Sequence, residues 1–277
     1  MPVARSARYD VHVQSPASIA GRQSGVALCA TEIVGHRGAS HDAPENTLSA
    51  MKEAWKQGAD GAELDLWFSK DGHLVVMHDG TTKRIGGVDR KIADQTWEEL
   101  QKLDVGSWKD PKFAGEKIPT LESIFEATPA GKKMVLEIKC GPEILPELAK
   151  VIKASPLYPK QLVIISFNYE VMKLSKPLFP EVEHYLLASY KKDKETGNLP
   201  ELSEFVEKAK AVKLDGLDLH HGWPIDEAFV KGLKEQGLKL ITWTVDDPEV
   251  AKRHVKAGVD AITTDRPAYL RENALGK

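Results

Sequence analysis

Cysteine is almost absent: Cys29 and Cys140 are the only two in 277 residues. They show no metal-ligand spacing and fit two free thiols better than a disulfide framework, with a single bridge left open. Long apolar runs are also missing. No stretch of about 18 consecutive apolar residues occurs, so no stable membrane insertion is expected. An excess of basic charge is lacking too. With a formal net charge of -3 the chain offers no general attraction to nucleic acid or an anionic surface, so any recognition of anions must be local. Neither a G-x-G-x-x-G nor a G-x-x-x-x-G-K-[ST] run is present, which removes the usual dinucleotide and nucleoside-triphosphate cradles. Residues 1–30 hold scattered Arg, Ser and Gly without sustained periodicity. Their most apolar piece, Gly25–Ala30, is shorter than the roughly 7–15 residues a secretory core needs. They read as a loosely ordered extension or the remnant of an export sequence, ahead of one domain over 31–277.

What is present organises around Glu63–Asp79. Two runs rich in β-branched and aromatic residues flank Asp71-Gly72, the signal for a hairpin closed by a two-residue type I′ turn. That turn pairs Lys70 with His73, Trp67 with Val76 and Asp65 with His78. Alternation then sets Glu63, Asp65 and His78 on one face, and Leu64, Leu66, Phe68, Val75 and Met77 on the other.

Before the hairpin, Thr31–His36 reads as a short strand, and Asn46-Thr47 opens a helix with apolar residues at Leu48, Met51, Ala54 and Trp55. Residues 81–132 form an excursion with helical patches near Trp97–Leu100 and Leu121–Phe125. From Met134 onward, short strands near 134–139, 162–167, 184–188, 216–220, 240–245 and 261–264 alternate with amphipathic helices. Eight strand–helix units in about 245 residues predict a (β/α)8 TIM barrel with an antiparallel hairpin excursion after its second strand. A doubly wound open sheet is the alternative. In a barrel the site lies at the C-terminal strand ends, and the polar residues cluster there: His36-Arg37, Glu63, Asp65, Glu137, Lys139, Ser166, His220-His221, Trp243 and Thr264-Asp265.

Three converging carboxylates, Glu63, Asp65 and Glu137, repel one another and require a cation or protonation. All-oxygen ligation favours a hard divalent ion, Mg²⁺ or Ca²⁺, over zinc. Arg37 and Lys139, on adjacent strand ends, offer a guanidinium fork and a point charge for a phosphodiester. His36 and His78 supply two groups that titrate near neutrality, as needed to take a proton from a nucleophile and give one to an alkoxide. His41, His73, His184 and His254 read as surface or packing residues. One of His220 and His221 could line the pocket. The charged run Lys191–Glu195 reads as a solvated loop.

In this arrangement the chain resembles the glycerophosphodiester phosphodiesterases. The carriers are His36-Arg37-Gly38-Ala39, Pro44-Glu45-Asn46-Thr47-Leu48, Glu63-Leu64-Asp65, Lys70-Asp71-Gly72, His78-Asp79, Leu136–Lys139, Thr242–Val245 and Thr264–Pro267, in that order across about residues 32–270. The resemblance implies a (β/α)8 barrel with a divalent cation on Glu63, Asp65 and Glu137. It implies acid–base roles for His36 and His78, and phosphate contacts from Arg37 and Lys139. It adds Glu45 near the arginine, and Trp243 as an aromatic that packs on glycerol carbons. The expected reaction is hydrolysis of a small glycerophosphodiester to glycerol 3-phosphate and an alcohol. A cyclic phosphate formed by the neighbouring hydroxyl is one route and direct attack by water the other. Competing readings are a phospholipase of the phosphoinositide-cleaving or sphingomyelinase D type, and a barrel that binds phosphodiesters without cleaving them. One departure is Asp246, where the family often has Asn.

Overall fold

A computed structural model describes residues 31–276; the first thirty residues, Cys29 among them, lie outside the described part. Among the described residues nine strands form one sheet. They are β1 (Glu32–Gly35), β2 (Gly61–Phe68), β3 (Leu74–Val76), β4 (Lys133–Ile138), β5 (Leu162–Ser166), β6 (Glu183–Ala188), β7 (Gly216–His220), β8 (Lys239–Trp243) and β9 (Ala261–Thr264). All but β3 are parallel and close on themselves, because β1 pairs with both β2 and β9. The result is an eight-stranded parallel barrel with helices on the outside, not an open doubly wound sheet.

Strand alternation divides the side chains. Met134, Leu136 and Ile138 of β4, like Leu64 and Leu66 of β2, point outward into a continuous core against the helices. Val34, Val135, Val163, Ile165, Tyr185, Leu187, Ile241 and Ala261 point inward and fill the barrel as an apolar plug. The helices start where the sequence places caps: the side chains of Thr47, Asn168, Asp226 and Asp247 accept first-turn amides. Among the described residues no helix is long and apolar enough to cross a membrane.

The hairpin departs from its expected register by one residue. Trp67 pairs with Val75, not Val76, and Leu66 with Val76. The loop holds three residues, with Ser69 N donating to His73 O at 2.9 Å. A type I′ turn needs positive φ at both central positions, but only Gly72 adopts it, at 83°. Asp71 is engaged otherwise: its carboxylate accepts from Ser69 Oγ at 2.7 Å and from Trp97 N at 2.9 Å. A one-residue slip exchanges the faces of a strand. Val75 and Met77 therefore leave the Leu64 side and join Ile85, Ile92, Leu100, Val105 and Ile118 in a separate core under the excursion, packed by Trp67. His78 still reaches the barrel mouth, because the chain leaves the ladder after Met77, and Trp67 Nε1 donates to His78 O at 3.0 Å.

Candidate active site at the C-terminal mouth of the barrel

Register determines who meets whom. Gly35 of β1 pairs with Ala62 of β2 and with Thr264 of β9, so the next residue, His36, emerges between Glu63 and Asp265. Asp65 of β2 is the direct partner of Glu137 on β4. His36, Arg37, Glu63, His78, Glu137, Lys139 and Trp243 all line one cavity of about 240 Å³. Of the remaining expected residues, Asp65 lies beneath it, fully buried, and Glu45 lies behind Arg37.

One oxygen from each of Glu63, Asp65 and Glu137 falls within 4.8 Å of the others. At 4.8 Å two unit charges repel by roughly 3 kcal/mol at an effective dielectric of about 20. Each of Glu63 and Asp65 commits one oxygen to the protein. Arg37 N donates to Glu63 Oε2 at 2.7 Å, and Asn46 Nδ2 donates to Asp65 Oδ2 at 2.8 Å. Glu63 Oε1 is buried without a partner. Asp65 Oδ1 and Glu137 Oε1 face only the Lys139 ammonium, at 3.3 and 2.9 Å. Burial, with the charges of Asp65 and Glu137, pushes Glu63 well above the usual carboxylate range. Burial and Asp65, opposed by Lys139, raise Glu137 to about 7. Asp65 goes the other way: burial would raise it, but Lys139, Arg37, His78 and the Asn46 hydrogen bond hold it low. Converging, partly orphaned oxygens that resist joint ionisation are a donor set that can hold a metal ion.

The backbone here is strained: Arg37 and Asn46 occupy the left-handed region, at φ 53° and 60°. That conformation aims Arg37 N at Glu63 and lets Asn46 grip both the side chain and the amide of Asp65. Gly38, at φ 83°, is required because a Cβ there would sit 2.4 Å from the Ala50 carbonyl carbon.

Each histidine is oriented by an aspartate. His36 Nδ1 lies 2.7 Å from Asp265 Oδ1, which also accepts from Ser40 Oγ at 2.8 Å. His78 Nδ1 lies 2.7 Å from Asp79 Oδ1. An ionised carboxylate only accepts, so Nδ1 carries the proton in both rings and Nε2 is the atom free to exchange one. Burial, helped by Arg37 and Lys139, lowers His78 despite Asp65 and Asp79. Behind them, Arg84 holds Glu45 with two bonds of 2.8 Å and Asp79 with one of 2.7 Å, while Glu45 Oε1 accepts from Arg37 Nη1 at 2.9 Å. Hydrogen bonds from Arg84 bring Asp79 down to about 2.

Not every polar strand end joins the cavity. Ser166 Oγ donates to Ile138 O at 2.6 Å. His221 Nδ1 lies 2.7 Å from Thr244 O, and His220 packs edge-on against Trp243 at 5.2 Å. Asp246 accepts from Thr264 Oγ1 at 2.7 Å and Asp265 N at 2.9 Å, fixing the turn that presents Asp265. His184 and His254 are buried packing residues, and His41 and His73 are surface residues beside Asp42 and Trp97. The sequence assigns no site role to Asp79, Asp265, Asn46, Arg84 or Asp218, although it places Asp265 among the polar strand ends and Asn46 at a helix start. The first three stand inside its motifs; Arg84, 39 residues from Glu45, carries no local signal.

A cavity at the opposite mouth is lined by Glu32, Lys133, Glu183 and Lys239 among others. Its charges are mutually satisfied, Lys133 with Glu32 at 2.9 Å and Lys239 with Glu183. Barrel enzymes place their chemistry at the C-terminal mouth, where the partly unpartnered carboxylates of this chain lie.

The closed parallel barrel places the chain in the (β/α)8 class, with an acidic cluster and two cations gathered at one mouth. The comparisons give the family. Residues 36–269 match the glycerophosphoryl diester phosphodiesterase family. A glycerophosphodiester phosphodiesterase of Caldanaerobacter subterraneus subsp. tengcongensis is 38% identical over 245 residues, covering 87% of this chain and 96% of its own. An Oleispira antarctica phosphodiesterase, solved with the product sn-glycerol-3-phosphate, is 29% identical, with a TM-score of 0.78 over 90% of this chain and 98% of that one. A Thermotoga maritima glycerophosphodiester phosphodiesterase is 30% identical, with a TM-score of 0.70 over 87% and 97%. The chain belongs to the glycerophosphoryl diester phosphodiesterase family and is an enzyme of it.

Proposed function

We propose that the protein hydrolyses glycerophosphodiesters to glycerol 3-phosphate and an alcohol, with a divalent cation and two-histidine acid–base catalysis. The observation that carries this is the convergence of His36 and His78, each held by an aspartate, on the cavity that also contains Glu63 and Glu137. With all three carboxylates ionised, as a bound cation would require, Glu63, Asp65 and Glu137 against Arg37 and Lys139 leave one negative charge. A divalent ion turns that into one positive charge, matching the single negative charge of a phosphodiester. Glu63, Asp65 and Glu137 would hold the ion, and their oxygens suit Mg²⁺ or Ca²⁺. When bound, such an ion supplies Lewis-acid stabilisation of the phosphoryl oxygens.

The chain's own residues do the rest. Arg37, aligned by Glu45, and Lys139 grip the non-bridging oxygens. One histidine removes the proton of the glycerol hydroxyl next to the ester, whose oxygen then attacks phosphorus. The other protonates the departing alkoxide, and a cyclic phosphate remains. Water opens the ring with the two roles exchanged, so each imidazole ends as it began. Burial lowers His78, which favours the neutral imidazole that the base of the first half needs. Trp243, held by its Nε1 donating to Asp218 O at 3.1 Å, offers a face for the glycerol carbons.

The test is enzymatic detection of glycerol 3-phosphate released from glycerophosphocholine and glycerophosphoethanolamine, with Mg²⁺ or Ca²⁺ and with excess chelator. Release that stops with chelator is expected. Folded protein that releases none from either diester in the presence of both ions would overturn the reading.

A further inference from the structure

Four polar side chains of the cavity have no task in the scheme above: Ser189, Thr263, Asp218 and Lys191, the last expected from the sequence to lie in a solvated loop. Of these, Asp218 is the one with a buried unpartnered atom. Asp218, in the middle of β7, points into the barrel with 1% of its surface exposed and lines the cavity on the side away from His78. Its Oδ1 has no hydrogen-bond partner. Its strand neighbours at the same level are Leu187 of β6 and Ile241 of β8, both part of the apolar plug. Among the described residues no cation forms an ion pair with it.

The fold gains nothing from that arrangement. Burying a carboxyl without a partner is unfavourable, and leucine would fill the space without the desolvation cost. Burial, with Glu137 adding to it, raises Asp218 well above the carboxylate range. A carboxyl that keeps its proton has one O–H donor and one carbonyl acceptor side by side. A hydroxyl likewise gives one hydrogen bond and receives another. The adjoining wall holds Trp243, with Phe167 edge-on to it at 5.5 Å, and Ser189 and Lys191 line the same cavity; the aromatic faces suit the carbon chain of a small polyol.

We propose that Asp218 is the specificity-determining residue for the half of the substrate that stays on the phosphate: its carboxyl exchanges hydrogen bonds with the terminal hydroxyl of the glycerol moiety. This rests on the glycerophosphodiesterase reading and extends it, since Glu63, Asp65 and Glu137 are committed to the phosphate end. The hydroxyl next to the ester is left free to react, and the terminal one is read at the far wall.

The test compares two choline diesters, glycerophosphocholine and the 1,2-propanediol 1-phosphate analogue. The analogue keeps the hydroxyl beside the ester and replaces the terminal hydroxyl by hydrogen. Wild-type enzyme should favour the glycerol substrate in kcat/KM by roughly 10- to 100-fold, the range for a hydrogen bond lost at a buried polar partner. Asp218→Leu should bring that preference to within about 3-fold by losing activity on glycerophosphocholine alone. Asp218→Asn, which keeps a donor and an acceptor, should retain most of it. Should the leucine variant not fold, Asp218→Ala measures the same ratio. A wild-type enzyme indifferent to the terminal hydroxyl, or a preference that survives removal of the carboxyl, overturns the assignment while leaving the phosphodiesterase reading intact. Wild-type enzyme that turns over neither diester sinks both.

Discussion

Asp265 Oδ1 lies 2.7 Å from His36 Nδ1 although the residues are 229 positions apart, at the closing seam between the first and last barrel strands. The ring is thus aligned by barrel closure itself. His78 receives the same treatment from its sequence neighbour Asp79. Removing either imidazole should be costly: His36→Ala and His78→Ala are each expected to lower kcat by about 10²- to 10⁴-fold. Cation affinity, measured by calorimetry, should stay nearly unchanged, since neither ring belongs to the acidic cluster. Asp265→Asn should cost less than His36→Ala, because it disturbs orientation and leaves the imidazole in place. A His78→Ala enzyme with near-normal kcat removes that residue from the acid–base role.

Glu63 fails differently. Its Oε2 accepts from Arg37 N, and its Oε1 is the buried oxygen without a partner. Glu63→Gln keeps the shape and removes one anionic ligand. We expect the half-saturating cation concentration to rise by at least ~10-fold, with activity partly restored at high cation. Activation by cation identical to wild type would place the ion elsewhere.

Arg84 ties Glu45 and Asp79 into one unit without lining the cavity itself. Arg84→Met should lower kcat/KM by about 10-fold through loosened Arg37 and His78. Its own side chain is 43% exposed but Glu45 is buried, so a modest fall in Tm should accompany the loss of activity, limited because Arg37 still holds Glu45. A large loss of Tm with unchanged kcat/KM would show the network to be structural.

Acid stability follows from His184, buried on β6 with its Nδ1 on Val182 O at 2.9 Å and its Nε2 unpartnered. Burial lowers it to about 4 from 6.5. Between those values the unfolded chain binds the proton and the folded one does not. Stability is therefore full above about pH 6.5 and declines as pH falls to 4, by roughly 3 kcal/mol for this group. His184→Leu should flatten the fall in denaturation midpoint between pH 6.5 and 4, read from urea melts. An unchanged slope would assign the acid sensitivity to other groups.

Much of this was legible locally. Strands and helices of the repeating units followed from short-range pattern, because burying a strand on both faces and a helix on one leaves apolar spacing in the sequence. Glu63, Asp65, Glu137, Arg37 and Lys139 could be placed together because parallel strands put their C-terminal ends at one mouth. The hairpin register could not be read. Asp71-Gly72 has the composition of a two-residue turn, but Asp71 accepts from the amide of Trp97, 26 residues on, a contact that no local pattern announces. Asp218 was equally hidden, since an aspartate at a strand's centre looks like any polar residue until Leu187 and Ile241 are seen on either side of it.

The sequence by itself determined which chemistry is available: carboxylates, imidazoles and cations at strand ends, fixed by residue identity and alternation. Tertiary structure alone decided how those groups are tuned. Asp265 meets His36 across the seam, Arg84 reaches back to Glu45, and an apolar plug beneath the carboxylates withholds water from them. The reason is that orientation and dielectric depend on neighbours brought together by barrel closure, and that closure joins residues with no proximity along the chain.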